Sequence, residues 1–88
     1  MNEKRMLFVT CTRRQLNTIV EEWTDWFDAY GGAKIALYGV TELEKVGFIL
    51  LQWSQPIPES FIQRLRTDDD IIDYVPYDAA LQNEPVLA

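Results

Sequence analysis

Four short runs of strand-forming residues and two helical stripes, in the order βαββαβ, predict an α+β domain for this 88-residue chain. Three observations carry that prediction. Apolar residues recur at spacings of three and four through Leu16, Ile19, Val20, Trp23, Phe27 and Tyr30, and again briefly at Phe61, Ile62 and Leu65, as amphipathic helices require. β-Branched and aromatic runs occupy residues 5–12, 34–40, 47–53 and 71–77. Glycine or proline separates them, at Gly31 and Gly32 and at Pro56 and Pro58. A chain of this length sustains one core, burying about 60% of its unfolded surface.

The first strand, residues 5–12 (RMLFVTCT), ends in a polar turn. Thr12, Arg13, Arg14 and Gln15 fit a capping box, with Thr12 as N-cap and Gln15 at N3, so the first helix is expected to start there. Gly31 stops it, because glycine enters a left-handed C-terminal turn without a Cβ penalty. Residues 34–40 (KIALYGV) and 47–53 (GFILLQW) read as a hairpin across a charged link. Pro58 is placed to open the second helix, which fails at Asp68, Asp69 and Asp70. In the last strand, residues 71–77 (IIDYVPY), Pro76 lacks a ladder donor and assigns the strand to an edge. The domain spans residues 1–77, and residues 78–88 read as an acidic C-terminal tail.

With right-handed crossovers this order gives a ferredoxin-like arrangement: a four-stranded antiparallel sheet with its first and third strands central and both helices on one face. Alternation then assigns Leu7, Val9, Cys11, Ile35, Leu37, Ile49 and Leu51 to the helix side. The other side receives Met6, Phe8, Thr10, Ala36, Tyr38, Val40, Phe48, Leu50, Gln52, Ile72 and Tyr74. A solvated face ought to be polar, yet this one is nearly as apolar as the core side. Four strands of such residues are expected to expose more apolar area than the patch of roughly 300 to 600 Å² usual on a monomer, so the face is expected to be covered.

Composition removes several chemistries. The chain has no histidine, which excludes a Ser-His-Asp triad, a His-based zinc site and an imidazole pH switch. No metal and no cofactor is expected. The formal charge is −6, from 8 bases and 14 acids, and it is unevenly placed. Bases and acids balance as far as Arg66, whereas Asp68, Asp69, Asp70, Asp73, Asp78 and Glu84 face no base. The net negative charge argues against indiscriminate binding to nucleic acid or anionic membranes. No run approaches the roughly 20 apolar residues of a membrane span, and the N-terminus carries no cleavable leader pattern, so a cytoplasmic location is expected.

Two strand fragments carry a family resemblance. Leu7, Phe8 and Val9 resemble the start of the first-strand motif of the RNA-recognition-motif family, and Lys45, Val46, Gly47 and Phe48 partly resemble its third-strand motif. The resemblance implies single-stranded RNA stacked on Phe8 and Phe48. Val46 interrupts the basic-glycine pair of that motif, Leu50 replaces its second aromatic, and the acidic last strand would repel phosphates.

Two clusters invite a binding role. Arg13 and Arg14 sit at the positive end of the first helix, where cations oppose the macrodipole; Asp68, Asp69 and Asp70 are equally misplaced at the end of the second. Antiparallel helices bring both clusters to one end of the sheet. They neutralise one another, leave an anion or acidic-partner site at the arginines, or stay solvated. Consecutive aspartates without spaced oxygen ligands do not form a calcium loop. Cys11 lies beside a helix start and two arginines, conditions that lower a thiol pKa, but on the core face it is a small hydrophobe without a histidine base. Trp23, Trp26 and Trp53 read as core or interface anchors, with Trp26 at the border of the stripe, where a partner would pack.

These features favour a non-catalytic interaction or regulatory module that homodimerises, or docks on another protein, through Met6, Phe8, Tyr38, Phe48, Leu50, Gln52 and Tyr74. The alternative is a small apolar ligand site, or a histidine-free enzyme, in a pocket on that face with Gln52, Tyr38 or Tyr74 pointing inward.

Overall fold

β1 (Met6–Cys11) opens the computed structural model, which describes residues 4–77. A single 3-10 turn (Arg13–Gln15) leads into α1 (Leu16–Tyr30), followed by β2 (Ala33–Val40), β3 (Gly47–Trp53), α2 (Glu59–Arg66) and β4 (Ile71–Tyr77). The strands form one antiparallel sheet in the order β2-β3-β1-β4, with the first and third strands central as the element order requires. Residues 78–88, read as a tail, lie outside the described residues.

α1 begins later than the capping box predicts. Thr12 makes no side-chain cap; its hydroxyl donates instead to Asp70 Oδ1 at 3.3 Å, and a 3-10 turn fills the gap. At the other end Gly31 adopts φ 74° and returns its N–H to the Phe27 carbonyl at 2.7 Å, a left-handed stop that disfavours a Cβ. Tyr30, expected on the apolar stripe, is exposed. Pro58 serves as the N-cap of α2, one position ahead of the expected N1.

One face of the sheet supplies Leu7, Val9, Cys11, Ile49, Leu51 and Trp53 to a single core, into which α1 buries Leu16, Ile19, Trp23 and Phe27 and α2 buries Phe61, Ile62 and Leu65. Both helices therefore lie on that face. Phe61 is the hub, its ring centroid 5.2 Å from Trp23, 5.5 Å from Trp26, 6.0 Å from Phe27 and 5.0 Å from Trp53. Aromatic pairs of this kind add about 0.5 to 1.5 kcal/mol each beyond the area they bury.

Both edge strands carry a bulge. In β2 the pairing with β3 passes from Ile35 opposite Leu51 to Leu37 opposite Leu50, leaving Ala36 as the extra residue. In β4 it passes from Ile71 opposite Cys11 to Asp73 opposite Thr10, leaving Ile72 over. Pro76 stands on the β4 edge, where a missing amide costs no ladder bond. Among the described residues no helix is long and apolar enough to cross a membrane.

Candidate functional site

Directly opposed residues of an antiparallel pair project from the same face. The register therefore lays out the helix-free face as three rows across the sheet. Lys34, Gln52, Met6 and Tyr77 form the first; Leu37, Leu50, Phe8 and Val75 the second; Gly39, Phe48, Thr10 and Asp73 the third. The middle row is wholly apolar, and three of its members stay open to solvent, with Phe8 37%, Leu37 58% and Val75 50% exposed. Phe48 bridges the second and third rows: its ring stacks on Phe8 at 5.9 Å and 17° from parallel. It also spreads over Gly39, where an added Cβ would stand 3.2 Å from ring atoms Cε2 and Cζ. Glycine opposite an aromatic is thus what lets this ring lie flat on the sheet.

Phe8, Phe48, Leu50 and Gln52 occupy the face that alternation assigns to them. Met6 shares it but is only 2% exposed, so it offers a partner almost no surface. Tyr38 and Tyr74 do not belong to it. Tyr38 pairs with Ile49 and Tyr74 with Val9, both core residues, which puts the two tyrosines on the helix side. Tyr74 packs against the core there, and its hydroxyl accepts the Arg66 Nε–H at 2.8 Å. Val40, opposite buried Gly47, moves to the helix side as well, while Leu37, expected in the core, joins the uncovered face. The cause in each strand is the bulge: one extra residue inverts the parity of all that follow. Strict alternation therefore misses Leu37, Val75 and Asp73 as members of the face, whereas Lys34, ahead of the β2 bulge, keeps the side that alternation gives it.

At the far end of the sheet, the Thr12 amide donates to the Asp70 carbonyl at 2.9 Å, which brings the Arg13 and Arg14 turn beside Asp68, Asp69 and Asp70. The aspartates make other contacts than the expected arginines. Asp68 Oδ1 accepts the Asp70 N–H at 2.9 Å, and Asp70 Oδ1 accepts the Thr12 hydroxyl. Arg13 borders an open hollow with Val40, Thr41, Glu42 and Lys45. Among the described residues no group of three His, Cys, Asp or Glu side chains is arranged to hold a metal. Cys11 is wholly buried, and its thiol is pushed up to about 11 by burial first and then by the charges of Asp70 and Asp68. The pKa-lowering environment expected from Arg13 and Arg14 is absent: the carboxylates are the charges that act, and a protonated thiol is a poor nucleophile.

Trp26 is covered from within, by the Arg64 guanidinium 4.5 Å above its ring. Gln52 lines an open hollow of about 350 Å³ with Gly32, Ala33, Lys34, Trp53 and Ser54, where the start of β2 lies beside the end of β3. The chain matches no family model, no curated protein and no solved structure.

Proposed function

We propose that this chain is a non-catalytic interaction module of ferredoxin-like topology that pairs with a second copy of itself through the helix-free sheet face, in an adaptor or regulatory role. The carrying observation is the middle row of Leu37, Leu50, Phe8 and Val75, apolar from edge to edge and extended by the stacked ring of Phe48. An apolar strip running the full width of a sheet is costly to leave in water and is self-complementary when two copies meet about a two-fold axis. The central strand order and the common core of both helices support the topology.

A pocket on this face has less behind it. With Tyr38 and Tyr74 on the helix side, Gln52 is the one left of the three polar groups that could serve such a pocket, and its hollow is shallow. The buried, protonated thiol of Cys11 supplies no nucleophile in its place. Stacking of RNA bases on Phe8 and Phe48 has the aromatic pair in its favour, but the third row ends in Asp73 and the chain carries a net −6.

Sedimentation equilibrium at micromolar concentration tests the proposal. Wild type is expected to be a dimer, and Phe8→Asp a monomer with an unchanged circular dichroism spectrum, because Phe8 is on the surface and outside the core. A folded wild-type monomer overturns it.

A further inference from the structure

The only charged positions in the three rows are Lys34, at the β2 end of the first, and Asp73, at the β4 end of the third. They stand at diagonally opposite corners. Strands about 4.8 Å apart and a rise of about 3.3 Å per residue make this array nearly square, roughly 14 Å across the four strands and 13 Å from first row to last. A square can be folded onto a copy of itself along either diagonal.

Building on the self-association proposed above, we infer that the two copies pack with their strands crossed near 90°, about a two-fold axis running along the diagonal from Gly39 to Tyr77, so that Lys34 of each copy meets Asp73 of the other. Charge complementarity selects this axis. An axis parallel to the strands sets Lys34 against Tyr77 and Asp73 against Gly39. An axis across the strands sets Lys34 against Gly39 and Asp73 against Tyr77. The other diagonal sets like charge against like, which disfavours it outright. Orthogonal packing of two sheets is an established class, so the crossed arrangement carries no geometric penalty. It brings Phe8 and Leu50 of both copies together around the axis and lays Leu37 over the partner's Phe48 and Thr10. With strands of seven residues, each face measures about 19 by 23 Å. Crossed at 90°, two such faces overlap over about 19 by 19 Å, a projected area of about 720 Å² in total before side-chain relief is added, against the roughly 1,000 Å² that a specific interface needs.

Charge reversal tests the axis separately from the dimer. In the crossed arrangement K34E and D73K each place two like-charged pairs in their own homodimer, and each is expected to raise the dimer dissociation constant at least about tenfold. Mixing the two variants restores both pairs in the heterodimer, as does combining them in one chain, and both are expected to bind within about threefold of wild type. D28K, which makes the same charge change as D73K on the exposed surface of α1, is the control for net charge: mixed with K34E it restores only one of the two pairs and should bind more weakly than the mixture of K34E and D73K. A wild-type dimer whose single variants bind normally, or whose mixture is no tighter than the D28K control, overturns the crossed axis and leaves self-association standing. A wild-type monomer overturns both.

Discussion

Thr12 and Asp70 are joined twice, by the Thr12 amide to the Asp70 carbonyl at 2.9 Å and by the Thr12 hydroxyl to Asp70 Oδ1 at 3.3 Å. The pair closes the end of β1 against the start of β4 across 58 residues of chain, and the Thr12 side chain makes this bond and no cap on the following turn.

Removing that hydroxyl is expected to cost more than a lost cap. Thr12→Val keeps the shape and the backbone bond but strips a part-buried carboxylate of its donor, lowering stability by about 1 to 2 kcal/mol in urea unfolding. In an Asp70→Ala background the same substitution should be nearly neutral, since neither partner is then left over. A full cost of Thr12→Val in that background would show that the hydroxyl acts elsewhere.

The Cys11 thiol links stability to alkaline pH. Its folded pKa, about 11, lies above the ordinary value of 9.0. The folded state thus favours the neutral thiol, and the stabilisation is complete below pH 9. It should be lost as pH climbs from about 9 through about 11, amounting to about 2 to 3 kcal/mol at the top of that window. The difference in unfolding free energy between wild type and Cys11→Ala isolates it from tyrosine and lysine titration. Parallel pH profiles for the two proteins would refute the assignment, as would rapid modification of the folded thiol near neutral pH.

Two glycines facing opposite sides of the sheet should respond differently to the same added methyl. A Cβ at Gly47 would stand 3.0 Å from Cys11 Sγ and 3.1 Å from both Cβ and Cδ1 of Leu16, two buried residues of the core that would have to shift to admit it. Gly47→Ala is expected to cost about 1 to 3 kcal/mol through overpacking. At Gly39 the obstacle is only the outer edge of the Phe48 ring, which is partly exposed. Gly39→Ala should cost less than about 1 kcal/mol in the monomer yet weaken self-association, because it displaces the Phe48 ring from its stack on Phe8. Thermal unfolding and sedimentation of the two variants separate these effects, and equal unfolding losses would contradict the contacts at Gly47.

The element order, the strands over Gly47–Trp53 and Ile71–Tyr77 and the helix stop at Gly31 were legible in the residues, because period, turn chemistry and proline placement all agree there. The central strands also show their faces correctly, since β1 and β3 pair without interruption. The edge strands do not. Ala36 and Ile72 are apolar residues in apolar runs, so nothing in their chemistry marks them as extra, and each shifts its strand's register against its neighbour by one. Tyr38 and Tyr74 were misassigned for that reason alone. Lys34 lies ahead of the β2 bulge and would have been found by counting from the Gln52 pairing; Asp73, beyond the β4 bulge, would not. Thr12 departs for another reason: a capping signal is local, whereas the Thr12 side chain bonds to Asp70, 58 residues along the chain, which no local pattern shows.

α2 has eight residues, too few to persist as a helix by itself. It is held through Phe61, Ile62 and Leu65, and Phe61 alone touches four other aromatic rings. Detaching this helix would wet Trp23, Phe27 and Trp53 together, so it has no inexpensive way to fray. The amides of α2 should exchange with solvent only when the entire domain opens, which makes the shortest helix a reporter of global unfolding.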